Sequence, residues 1–170
     1  MSPDVIPFST ATQTTEGTEF PIQDYAALGD GRSVALVAPD GAVAWWCVPS
    51  IDSPPLFDRL LSPHGGGFFQ LRPEGDFKLE RCYRRDSNVL ESIVSTPGGR
   101  ARITESLNST PAGRLPWSEL ARRVEVLSGT MTFRARAVFG TRADTASPWL
   151  QPNSNGCIFH VGPVLGMFRH

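Results

Sequence analysis

Two short apolar runs, Ser33–Ala38 (SVALVA) and Ala42–Val48 (AVAWWCV), flank the tripeptide Pro39-Asp40-Gly41. Proline presets φ for the turn, aspartate tolerates it, and glycine supplies a positive φ. The segment is predicted to be a β-hairpin, and the same pattern recurs along the chain. Val89–Thr96 and Arg100–Leu107 flank Pro97-Gly98-Gly99, a second hairpin. Phe77, Leu79, Arg81 and Tyr83 alternate with Lys78, Glu80 and Cys82, the period of two expected of a strand. Phe68–Leu71, Leu120–Leu127 and Gly156–Val161 are read as further strands. Met131, Phe133, Ala135, Ala137 and Phe139 fall on one face of another. Between Pro49 and Pro63 the alternation breaks. PSIDSPP reads as a loop, and Leu56–Leu61 (LFDRLL) as one or two helical turns ended by Gly65-Gly66-Gly67. Short strands with turn signals about every 10 residues, and no long amphipathic helix, predict an all-β antiparallel sandwich.

Composition agrees with one such domain. The chain has 170 residues, 40% hydrophobic and 19% charged, which excludes a fully disordered or fibrous protein. The formal net charge of −1 offers no broad attraction to nucleic acid or an anionic membrane, and neither is expected as a partner. No apolar run approaches the roughly 20 residues of a membrane span. Cys47, Cys82 and Cys157 lack CxxC spacing and cannot all pair, so reduced structural cysteines are expected. Residues 1–19 are polar and small-rich, with neither a basic start nor an apolar stretch. They read as a disordered leader without a secretory signal. The domain is expected over residues 20–170, in the cytoplasm.

Residues able to carry chemistry are scattered. Asp24, Asp30, Asp40, Asp52 and Asp58 are the acidic residues of the first third after the leader. Acid–base hydrolysis of a glycoside needs two carboxyls about 5–9.5 Å apart, one with a raised pKa. Nothing in these spacings sets two of them across a cleft. Asp40 is explained by its turn, and Asp52 before Ser53-Pro54 is a common loop initiator. His64, His160 and His170 form no HxxxH or HExxH, and Gly29-Asp30-Gly31 lacks the lysine and helix of a phosphate loop. No GxSxG is present. Neither a metal nor a cofactor is expected. The pair Trp45-Trp46 must split across a strand, one indole inward and one outward. The outward one would either stack on a sugar or pack on another surface. Trp117 (LPWSEL) and Trp149 (SPWLQP) each follow a proline and read as loop plugs.

The segment IQDYAALGDGRSVALVAPDGAVAWWCVPSIDSPPLF, Ile22–Phe57, resembles the opening of the trehalase-like N-terminal domain of glycoside hydrolase family 15. The elements that carry the likeness are Asp24-Tyr25, Leu28-Gly29-Asp30, Ala35-Leu36-Val37, Asp40-Gly41, Trp45-Trp46-Cys47-Val48-Pro49 and Asp52-Ser53-Pro54. Tyr83, Asn88-Val89-Leu90-Glu91 and Pro148-Trp149-Leu150 continue it more loosely. The family includes bacterial trehalases, glucoamylases and glucodextranases. The resemblance implies a β-sandwich that precedes an α/α barrel, where two glutamates carry inverting hydrolysis of α-glucosidic bonds. Those glutamates have no counterpart here, so no catalytic residue is carried over and the chain alone is expected to be inactive. Family domains of this type run longer than this chain, so an end at Gly166–His170 is expected to omit late strands and leave a strand edge exposed.

Three departures stand out: Ala44, or Trp45 if the second indole is aligned, where the family has an aspartate before its tryptophan; Ile51 in place of the phenylalanine of FDSP; and Ser50 in place of a basic residue. Asp24, Tyr25, Asp30, Trp46 and Asp52 are the candidate contacts with a barrel or a sugar. The implied function is a non-catalytic module that packs on an α/α-barrel catalytic domain and shapes its cleft for α-glucosides. The alternatives are a stand-alone carbohydrate-binding sandwich and an assembly protein that self-associates through a strand edge.

Overall fold

The structure is a computed structural model that describes residues 8–12, 19–109, 117–139 and 149–169. Its strands are β1 (Phe8–Thr12), β2 (Ala26–Gly29), β3 (Val34–Val37), β4 (Ala42–Cys47), β5 (Pro55–Phe57), β6 (Phe68–Pro73) and β7 (Lys78–Tyr83). They continue with β8 (Leu90–Thr96), β9 (Gly99–Leu107), β10 (Leu120–Gly129), β11 (Phe133–Val138), β12 (Trp149–Asn153), β13 (Gly156–Val161) and β14 (Val164–Arg169). A single 3-10 turn, Ile22–Asp24, precedes β2.

The first sheet has the order β1-β7-β8-β9-β10; the second is β11-β6-β4-β3-β2, with β5 on β4. A third runs β12-β13-β14, and every pairing is antiparallel. No helix among the described residues is long and apolar enough to cross a membrane.

Both expected hairpins form, as β3–β4 and β8–β9. Gly41 sits at φ 79°, and a Cβ there would lie 2.3 Å from the Leu71 carbonyl oxygen. Only glycine satisfies both the turn and the neighbouring strand. Leu56–Leu61 differs from the sequence reading. Pro55–Phe57 pairs with β4, and only the turn that follows has helix-like bonds, from Leu61 N–H and Ser62 N–H to the Asp58 carbonyl. Leu56 and Phe57 are buried, and pairing beside Trp46 sinks two large side chains that a lone helical turn would leave half in water. Phe8–Thr12, inside the stretch expected to be a leader, pairs with β7.

The core follows from the period of two. Leu90 of β8 and Leu107 of β9 pack with Ala26, Leu28, Ala35, Val37 and Val43 of the second sheet, while Val94, Ala101 and Ile103 form a second cluster with Phe77 and Leu79. The third sheet joins through aromatic rings. Phe139 stacks on Phe57 with centroids 6.0 Å apart, and lies 5.0 Å from Phe159, itself 5.0 Å from Phe168. Gly166 leaves room for that packing, since a Cβ there would meet the Phe159 ring at 2.2 Å.

Charged residues occupy three of the core-facing positions. Glu105 of β9 pairs in register with Arg122 of β10, and Arg122 Nε donates to Glu105 Oε1 at 2.8 Å. The same guanidinium crosses to the second sheet, donating to the carbonyls of Phe69 at 3.0 Å and Gly41 at 2.6 Å. Arg81 of β7 likewise reaches the Val37 carbonyl at 3.0 Å and the Asp24 carbonyl. Burial pulls the Arg81 pKa down, and the Glu105 carboxylate nearby opposes that. At one edge, the Tyr83 hydroxyl accepts from Ala27 N–H at 2.7 Å and donates to its carbonyl at 2.9 Å. The sheets are thus joined by directional bonds as well as apolar contact.

Removing one member of a buried pair strands the other, at a cost of about 3–5 kcal/mol. Arg122→Ala is therefore expected to lower stability by about that amount in urea denaturation. Arg123→Ala, on the exposed face of the same strand, should stay within about 0.5 kcal/mol.

Candidate functional site

The five residues singled out from the sequence fall into three places. Asp30 and Asp52 lie at one end of the second sheet, Asp24 and Tyr25 lie beyond the other end of β2, and Trp46 is inside.

At the first end, β2 must turn into β3 within four residues, and Asp30 organises that turn. Its Oδ1 accepts from the N–H of Arg32 at 2.9 Å and of Ser33 at 2.8 Å, while Arg32 Nη2 approaches Oδ2 at 3.4 Å. Burial raises the Asp30 pKa, but the two backbone N–H groups and Arg32 outweigh it and hold the carboxyl below its ordinary value.

Two other segments converge on this turn. Ile51 N–H donates to the Arg32 carbonyl at 3.0 Å, and Arg32 Nη2 donates to the Trp117 carbonyl at 2.9 Å. Asp52 is exposed; Ser50 Oγ donates to its Oδ1 at 2.5 Å and lowers its pKa. Beside these polar groups, Ile51 is 66% exposed and Trp117 is 56% exposed. Trp117 is therefore no loop plug: its Nε1 donates to Glu119 at 3.1 Å while its ring faces solvent. Trp149, the second expected plug, is on β12 and is also exposed.

At the other end, Tyr25 is half-buried, with the Phe20 ring edge-on at 6.3 Å. Burial raises the Tyr25 pKa, Arg59 opposes the rise, and Asp40 and Glu19 add to it. Trp46 is only 7% exposed, packs on Phe57, and has no partner for its indole N–H among the described residues. It is a core residue, and its neighbour Trp45 is the half-buried member of the pair. Asp40, read as a turn residue alone, is also a buried ion partner of Arg59 at 2.9 Å. The available signal was an arginine inside the apolar run LFDRLL.

Chemically, the first end sets exposed apolar side chains beside carboxylates that do not suit acid catalysis. A general acid needs a raised pKa. Asp30 and Asp52 are both lowered, and each is already engaged in holding its own loop. Among the described residues, no three His, Cys, Asp or Glu side chains are placed to hold a metal.

Asp30→Ala leaves two backbone donors without their acceptor, which costs about 1–3 kcal/mol. Because folding lowers the Asp30 pKa, its contribution is complete above the unfolded value of about 3.9 and is lost as pH falls through the lower folded one. Thermal unfolding at pH 7 should show the variant clearly less stable, and the two proteins should converge in strong acid.

The chain resembles known proteins over most of its length. A family described as trehalase-like, N-terminal, matches residues 14–155. The trehalase of Mycobacterium tuberculosis is 39% identical over 80 residues, 46% of this chain and 12% of that protein. The trehalase of Thermoplasma volcanium is 28% identical over 143 residues, 81% of this chain and 23% of that protein. Trehalase 2 of Sulfolobus acidocaldarius is 35% identical over 69 residues, 41% of this chain and 12% of that protein. The chain thus spans less than a quarter of these curated relatives. No solved structure gives a significant match. With the family matched from β2 through β12, the chain belongs to the trehalase-like N-terminal domains.

Proposed function

We propose that this domain is the non-catalytic N-terminal module of a glycoside hydrolase family 15 α-glucosidase. It packs on an α/α-barrel catalytic domain and helps to form its substrate cleft. The observation that carries this reading is the family match over residues 14–155, against relatives named as trehalases that extend far beyond the matched part. The chemistry of the described residues is in keeping with it, because the two carboxyls with shifted pKa values move away from an acid's requirement.

The packing surface in this proposal is the end built by Asp30, Arg32, Ile51, Asp52 and Trp117. A protein interface gains most from an aromatic or aliphatic anchor surrounded by groups that exclude water. Ile51 and Trp117 are such anchors, and the turn beneath them is held by Asp30 and Arg32. Asp24, Tyr25 and Trp46 support this surface indirectly, through the position of β2 and the core beneath β4.

The DNA downstream of the His170 codon tests the reading first. An open frame that encodes a helical barrel with two separated glutamates is expected; a stop codon with no barrel gene alongside would refute it. The 170-residue chain alone should release no glucose from trehalose or maltose. With the barrel expressed separately, Ile51→Asp should weaken its association with this chain at least about tenfold, as loss of an interface anchor does. Unchanged affinity would move the packing surface elsewhere.

A further inference from the structure

A cleft of about 220 Å³ opens beside Tyr25. Its polar lining is Glu19, Tyr25 and Arg59, and its apolar lining is Phe20, Leu60, Leu61 and Pro63. Drug-sized ligands occupy sites of roughly 300–1,000 Å³, so this one suits something smaller.

The cleft has a fixed polar floor. Arg59 is 7% exposed, and its Nη2 is held by Asp40 at 2.9 Å. Asp40 is in turn held by Gln70 Nε2 at 3.1 Å and accepts from Ala42 N–H at 3.1 Å. The Arg59 guanidinium also lies over the Phe68 ring at 4.7 Å. It is therefore locked before any ligand arrives, the condition under which a donor loses least on binding. The lining adds Tyr25, whose hydroxyl both donates and accepts, and Glu19, whose carboxylate only accepts.

These groups narrow the ligand by elimination. An anion would meet a guanidinium already neutralised by Asp40, with Glu19 adding repulsion. A compact metal cation would find one carboxylate beside an arginine, and no group of three ligating side chains is present among the described residues. A wholly apolar ligand would desolvate the Tyr25 hydroxyl and the Glu19 carboxylate with nothing to pair them, each at the cost of a lost hydrogen bond. What remains is a small neutral molecule whose hydroxyls donate and accept along one edge and whose C–H face rests on Phe20 and Leu61. A pyranose ring has that form.

We propose that the cleft between Glu19, Tyr25 and Arg59 binds a single pyranose ring of a neutral sugar. The narrower expectation, that the ring is a glucose unit, rests on the α-glucosidase reading above; recognition of the ring itself does not.

The test is a titration of the isotope-labelled 170-residue chain, followed by NMR, with glucose, trehalose, galactose and sodium glucuronate. Glucose and trehalose should give saturable shifts at Phe20, Tyr25 and Leu61, with dissociation constants of about 1–50 mM, the weak range for so few hydrogen bonds. Tyr25→Phe and Glu19→Gln should each weaken binding about fivefold, with the remaining spectrum unchanged. Glu19 is exposed, and Tyr25→Phe keeps the half-buried ring and removes only its hydroxyl, so the fold survives both. Tighter binding of glucuronate than of glucose would overturn the proposal, as would the absence of saturable shifts at about 100 mM sugar. Shifts confined to the Asp30 and Asp52 loops, or variants that bind unchanged, would also overturn it. Equal binding of galactose and glucose would support the ring site and overturn the glucose-unit expectation alone, whatever the downstream gene encodes.

Discussion

The buried pair of Glu105 and Arg122 is the constraint on which the arrangement of the sheets depends. Two β-sheets held by apolar contact alone can slide and rotate, because hydrophobic attraction is not directional. Arg122 removes that freedom by bonding Glu105 in its own sheet and the Phe69 and Gly41 carbonyls in the facing one. Arg81 repeats the device at the Val37 carbonyl, and Tyr83 does so at both polar groups of Ala27. Each bond requires one relative position of the sheets, and for the two arginines a displaced sheet would leave a buried charge without its partners.

That fixed relation governs both ends of the second sheet. β2 is an edge strand of four residues, held from the first sheet by Tyr83 and by Asn88, whose Nδ2 donates to the Gly29 carbonyl. With β2 anchored, the Asp30 turn and the loop through Asp52 meet at one end. The Tyr25 cleft forms at the other, over the Asp40–Arg59 pair. The two ends serve different chemistry. One presents exposed apolar side chains on a polar turn, and the other a fixed guanidinium with a phenol and a carboxylate in the same cleft.

Ion pairs of this kind oppose the ordinary segregation of charge and core. Taking Arg59, Asp40, Arg122 and Glu105 out of water costs several kcal/mol per ion before pairing returns part of it. The domain carries two such pairs, each with further hydrogen bonds to backbone or side chains. Their value lies in position more than in net stability. One pair fixes the two main sheets relative to each other, and the other holds an arginine rigid at the floor of a cleft.

Much of this was legible in the chain itself. Alternation along Phe77–Tyr83 and Arg100–Leu107 determined strands with a buried face, because side chains of a strand point alternately to two sides. Pro39-Asp40-Gly41 determined a turn, because its φ angles suit few other residues. Even the odd members of the buried faces, Arg81 and Glu105, stood in register with the apolar ones. Their partners did not, since Arg122 meets Glu105 only after β9 and β10 align. The fate of the Trp45-Trp46 pair was decided the same way: the strand period separates two neighbours but does not say which side is covered. Leu56–Leu61 carried too short an apolar run to choose between helix and strand, and pairing with β4 chose. Local sterics act within a few residues and can be read from the sequence, whereas burial and charge pairing depend on groups brought together from far along the chain.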